Sequence, residues 1–343
     1  APLLAGSIFD LEPGTEYEVR LTLEDPDGVD ASRENEAVRT IRASTRAVPT
    51  TPEGGRVRHL YPPGHKGREK EPAFHTLLGT ARGLDRGSFG LNNKPTTLQP
   101  GDVVLVHGGV YKADRHAYRD RHFLIGFGSY HFPDMHGTPE KPITIKAAGD
   151  GEVIFDGDGA FRLFDMRGAR NVIFEGLTIR NCEFGFWLGD HPDKAWAEGI
   201  TIRNCTFDGL HVGVMGRHPR GRHFLISDSR FMGKGQPMGW QDVSSNIAVL
   251  VGGQGHSICY NYAEFFFDFY DGGRNGEVTY SHDYVPGQDA SIDIYNNHLH
   301  QMNDNAIGTG DRVHNIRVMR NLIRNNWQAT LAPYGSVGGP VYW

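Results

Sequence analysis

Cysteine is scarce in this chain, with three among 343 residues and no Cys-x-x-Cys pair. That excludes a disulfide scaffold and a cysteine-based zinc site, and it leaves the redox compartment open. An excess of positive charge is also lacking: the net charge of −6 provides no basic footprint for nucleic acid, and no such partner is expected. No apolar run reaches 18 residues, and no basic segment precedes an apolar stretch. Neither a membrane span nor an uncleaved signal peptide is therefore expected, whereas a processed exported chain fits. Aromatic residues make up only 11%, against 45 glycines, which points to many turns and short strands rather than long helices. The 38% apolar content supports a real core in one large domain or two smaller ones.

Near the N-terminus, apolar and polar residues alternate through Tyr17, Val19, Leu21 and Leu23, break at Asp25-Pro26-Asp27-Gly28, and alternate again at Val38 and Ile41. Period and turn chemistry predict a β-hairpin. The run Leu11-x-Pro13-Gly14-Thr15-x-Tyr17-x-Val19 resembles the late strands of a fibronectin type III domain, where the tyrosine makes a corner contact. Residues 1–48 are thus expected to be part of such a module. Residues 49–75, rich in Pro, Gly and charge, read as a linker and lead-in segment.

Beyond Gly101 repeats become the main signal. One apolar position recurs at Ile179, Ile202, Ile226, Ile258, Ile294 and Val318, at spacings of 23, 24, 32, 36 and 24 residues. This is close to the rung length of a solenoid, with insertions in the two long intervals. Three residues further on stand Cys182, Cys205, Ser229, Asn261, Asn297 and Asn321, a column of small and amide side chains suited to an inward turn where stacked amides bond one another. On this register Cys182 and Cys205 are one rung apart, read as stacked reduced thiols in preference to a disulfide.

The stretches "LQPGDVVLVHGGVYK", "GTPEKPITIKAAGDGEVIFDGDG", "RNVIFEGLTIRNC", "EGITIRNCTFDG" and "GSVGGPVYW" resemble the right-handed parallel β-helix proteins of the pectate-lyase-like superfamily over residues 95–343. The resemblance implies an all-β solenoid over residues 76–343, and the ending without a capping segment suggests C-terminal incompleteness. It leaves function open among lyases, hydrolases, epimerases and binding proteins.

The resemblance also implies that the strands "FGFWLGDH", "VGVMGRHPR", "IAVLVGGQG" and "FDFYDGGRN" line a polysaccharide groove. Taking Val212, Val214, Val249, Phe269 and Ile307 as inward leaves Trp187, His211, Asp268, Tyr270 and Asp304 outward. Trp187 and Tyr270 would then be stacking platforms for sugar rings. Arg274 and Tyr284, in the long second insertion, are candidates for binding sugar hydroxyls. Asp268, Asp271 and Asp304 are candidate calcium ligands, or a carboxylate pair acting on a glycosidic bond. A lyase acting on uronates needs a cation to neutralise the substrate carboxylate and a base to take the adjacent proton. Arg217 is the candidate for the first role, and His211 or Lys234 for the second.

The expectation is an extracellular or cell-surface carbohydrate-active protein, first a lyase acting on an acidic polysaccharide. The alternatives are a non-catalytic glycan-binding or structural β-helix and, third, a glycoside hydrolase.

Overall fold

The computed structural model describes residues 7–24, 26–27, 37–74, 77, 98–112, 117–119, 125–127, 129–131, 134–190, 195–234, 246–272, 289–309, 313–332 and 341–343. The chain forms two compact units, residues 1–50 and 51–343. In the first, Glu16–Thr22 pairs antiparallel with Val38–Ser44 in the predicted hairpin.

The second unit is an all-β parallel β-helix, with no α-helix among the described residues and none long and apolar enough to cross a membrane. Its rungs build an eleven-strand wall and a fourteen-strand wall. The eleven-strand wall already includes Val57–Leu60, paired with Val103–Val106, so part of the expected linker is the first rung. That strand is only four residues long, too short for its period to stand out among the surrounding Pro, Gly and charged residues.

Equivalent residues stack in register, as the repeat requires. Ile202, Ile226, Ile258, Ile294 and Val318 form one column, each at most 5% exposed. The residue below Ile202 is Phe174, however, not Ile179. Ile179 belongs to the other wall, between Phe155 and Phe207.

The amide column is a continuous ladder. Ser229 N–H donates to Asn261 Oδ1 at 3.1 Å, Asn261 N–H to Asn297 Oδ1 at 3.0 Å, and Asn297 N–H to Asn321 Oδ1 at 3.0 Å. Cys205 joins it through Ser229 Oγ at 3.1 Å, whereas Cys182 pairs with Ala160 on the other wall. The preceding residues Asn204, Asp228, Tyr260, Asn296 and Arg320 all have φ between 52° and 57°. A non-glycine residue adopts this left-handed conformation at a cost, and the ladder fixes it. All three cysteines are free and buried, and burial pushes the Cys205 thiol up to about 12.

Candidate functional site

The outer face of the fourteen-strand wall follows from a bend that strict alternation does not anticipate. Phe186, Val214, Val249, Tyr270 and Ile307 point into the core. So do Ala248, Phe269 and Ala306, the residues immediately before three of them. In the two rungs below, the preceding residues are Gly185 and Gly213. A Cβ at Gly213 would meet the Phe231 ring at 2.8 Å, and one at Gly185 the Phe207 ring at 3.2 Å. Two consecutive inward positions per rung thus accommodate the core rings Phe207 and Phe231, which stack at 4.4 Å.

This bend corrects two assignments. Tyr270 is fully buried and its hydroxyl donates to Val251 O at 3.2 Å, so it is no sugar platform. Val212, expected inside, joins Phe184, Trp187, Met215, Ile247 and Leu250 in a separate apolar cluster.

Two columns therefore climb the outer face. One runs Arg162, Phe184, Val212, Ile247, Asp268. The other runs His131, Asp165, Trp187, Met215, Leu250. Asp271 follows one residue beyond the Val249–Tyr270 pair. The face is charged at both ends and apolar in the middle, where its residues are 2–9% exposed. Four strand spacings separate the Arg162 level from Asp268, roughly 19 Å, too far for one reaction centre.

The lower end holds a group that the sequence reading missed. Asp165 is fully buried and paired with Arg167 at 2.6 Å, Arg162 at 3.2 Å and His131 Nδ1 at 3.4 Å. Burial alone would raise its pKa, but hydrogen bonds from His131 and Arg167 outweigh it and hold the carboxyl well below the usual range. The Arg162 guanidinium lies 4.4 Å from the Trp187 ring centroid. Nothing local in the sequence links Asp165 to Trp187; only the rung register places them side by side.

His211 stands beside the middle of the face, edge-on to Phe184 at 6.0 Å. Burial lowers its pKa below the ordinary imidazole value; Glu183 partly opposes this and Lys234 adds to it. The fold thus gathers His211, Lys234 and Glu183 into one electrostatic neighbourhood. Two buried donors, Trp187 Nε1 and Asn246 Nδ2, have no hydrogen-bond partner among the described residues. Asn246 sits one rung above His211, whose carbonyl accepts the next amide, Ile247 N–H, at 2.9 Å. Orphaned buried donors are costly.

Other candidates separate. Arg217 follows the strand Val212–Gly216 that His211 precedes, so the two stand at opposite ends of the same strand, roughly 20 Å apart. Asp268 is 6% exposed and its Oδ1 accepts Asn305 N–H at 2.9 Å, while Asp271 is 7% exposed. Asp304 N–H donates to Phe267 O at 2.8 Å. Among the described residues no group of three or more His, Cys, Asp or Glu is gathered as a metal site. Arg274 and Tyr284 lie outside the described residues.

No protein-family model matches the chain, and no curated protein sequence is similar to it. Among solved structures, the pectate lyase Pel9A is similar with a TM-score of 0.50 at 15% identity, over 78% of this chain and 62% of that one. A rhamnogalacturonan lyase gives 0.38 at 15% identity, over 84% and 63%. An alginate lyase from Paenibacillus sp. str. FPU-7 gives 0.31 at 14% identity, over 68% and 93%. This chain therefore spans less than two thirds of the first two. At such identity the pectate lyase likeness establishes the fold alone.

Proposed function

We propose that this chain is a secreted polysaccharide lyase that cleaves an acidic, uronate-containing polysaccharide by β-elimination on the outer face of the fourteen-strand wall. One observation carries the reading: a half-buried imidazole edge-on to Phe184 at 6.0 Å, beside the outer face, with its pKa lowered by burial and the charges of Glu183 and Lys234 acting on it. A neutral imidazole accepts a proton. In the reaction His211 takes the proton from the C–H beside the uronate carboxylate. Those electrons form the C=C bond, and the neighbouring glycosidic C–O bond breaks toward the leaving sugar. The cation this step needs beside that carboxylate is Lys234, whose charge reaches His211; Arg162 is two strand spacings or about 10 Å from the Val212 level and already paired with Asp165.

A second reading, a non-catalytic glycan-binding or structural β-helix, is favoured by the burial of the middle rungs, whose outer-face residues are 2–9% exposed and leave less of that face open to a polymer. Residues 1–48 are read as the end of a fibronectin type III-like module. This is supported by Tyr17, whose hydroxyl accepts Glu12 N–H at 2.7 Å in a tyrosine-corner contact.

The test is incubation with a panel of uronate polymers, followed by ultraviolet absorbance of the unsaturated product and by reducing ends. Both should rise together, and His211→Ala should abolish both. Retention of glycan without any product selects the binding protein, and reducing ends without unsaturation select a hydrolase.

A further inference from the structure

A second surface stands apart from the His211 site, on the corner where the coil leaves the fourteen-strand wall. There one column stacks His136, Arg170, Glu198, Arg222 and Gln254 on successive rungs. Half-buried Trp196 lies beside it, with the guanidinium groups of Arg170 and Arg220 each 5.2 Å from its ring centroid. Buried His218 stacks on the same indole at 5.0 Å and 21°. The indole is thus gripped by one arginine from the rung below and one from the rung above.

The corner is rigid. Trp196 O accepts Gly168 N–H at 3.1 Å, His218 Nδ1 accepts Arg220 N–H at 3.0 Å, and His218 O accepts Gly221 N–H at 2.8 Å. Gly221 and Gly253 let adjacent turns approach closely: a Cβ on Gly253 would meet Gly221 O at 2.2 Å.

Its charge runs against that of the molecule. The whole chain carries −6. At the corner, Arg170 and Arg222 flank Glu198 in the column, Glu198 pairs with Arg170 at 3.4 Å, and Arg220 stands over the indole. Arg220 and Arg222 are exposed and make no ion pair among the described residues. The guanidinium forks offer the carboxylates of a sugar chain paired donors, and the indole, gripped by Arg170, Arg220 and His218, holds those forks in place. Arg170 and Arg222 stand two rungs or about 9.6 Å apart, close to two residues of an extended pyranose chain.

We propose that this corner ridge, centred on Trp196 with Arg170, Arg220 and Arg222, is a docking surface for an anionic polysaccharide, separate from the site of bond cleavage. It shares the substrate class of the lyase reading but none of its chemistry. Preorganised arginines two rungs apart, on either side of Glu198, hold the polymer along the coil axis. Arg167, on the same turn as Arg170, connects the ridge to the buried Asp165 of the outer face.

Affinity electrophoresis tests this in gels containing polygalacturonate, alginate or neutral hydroxyethyl cellulose. The variants are Arg220→Gln/Arg222→Gln, Trp196→Ala, and Arg20→Gln/Arg39→Gln. The last makes the same charge change at exposed residues of the N-terminal unit. Wild type and the Arg20/Arg39 variant should be retarded by the polyuronates, less so at high salt, and not by the neutral polymer. The Arg220/Arg222 variant should bind at least about tenfold more weakly, and Trp196→Ala should also weaken. Equal retardation of the two double variants, or none of the wild type, would overturn the proposal. Unsaturated product is scored separately: ridge-dependent retardation without product sinks the lyase reading and leaves the ridge standing.

Discussion

The amide ladder makes the solenoid's stability depend on single buried side chains, and Asn297→Leu measures that dependence. Asn297 is 1% exposed. Its Oδ1 accepts from Asn261 N–H and from Asn261 Nδ2, both at 3.0 Å. Its Nδ2 donates to Ile258 O and Asn321 Oδ1, both at 2.9 Å. Leucine fills nearly the same volume and makes none of these bonds. Asn261 Nδ2 keeps a bond to Ile226 O, and Asn321 Oδ1 keeps Asn297 N–H. Asn261 N–H and Ile258 O lose the bonds they have here, and each such buried loss costs about 1–3 kcal/mol. The sum, about 2–6 kcal/mol, is large against the ~5–15 kcal/mol typical of a folded domain. Guanidinium unfolding followed by far-ultraviolet circular dichroism, with Cm and m fitted together, reads it directly. A variant within about 0.5 kcal/mol of wild type would show that the ladder is not a stabilising element.

Two further predictions concern the wall. Asp165→Asn leaves Arg167 and Arg162 without their buried counter-charge and should cost about 3–5 kcal/mol. Because the Asp165 carboxyl is held below the usual range, its stabilisation is complete above the unfolded value near pH 4 and is lost only as pH falls through the lower folded value. The deficit of the variant should therefore stay constant from pH 5 to 8 in thermal melts; a deficit that vanishes within that window would contradict the pairing. Gly213→Ala puts a Cβ 2.6 Å from Ala248 O and 2.8 Å from the Phe231 ring, and should destabilise by about 1–3 kcal/mol. Wild-type stability in that variant would refute the double-inward bend.

The repeat was legible because stacking imposes one requirement on every rung. A buried aliphatic position and a ladder position recur from Ile202 and Cys205 to Val318 and Asn321, and they can be counted in the sequence. The first rung departs from the count because Ile179 and Cys182 fit the spacing but lie on the fourteen-strand wall, while Phe174 and Leu177 take the positions below Ile202 and Cys205. Strict alternation then failed at Tyr270. The second inward residue of each rung is made possible by Gly185, Gly213 and Ala248, and small residues carry no period of their own. Asp165 and Trp196 went unread for a different reason. Their partners lie a rung away, and only the register of neighbouring strands brings Asp165 to Trp187, or Arg170 and Arg220 to one indole.

The pH profile of unsaturated-product formation tests the central claim, that His211 is the base on this face. Because burial and Lys234 lower its pKa while Glu183 raises it, the acid limb of kcat/KM should lie below the ordinary imidazole value. Lys234→Met should move that limb to higher pH, and Glu183→Gln to lower pH. Opposite displacements in the two variants are the predicted result; an acid limb that neither substitution moves, or product formation that survives His211→Ala, contradicts the account.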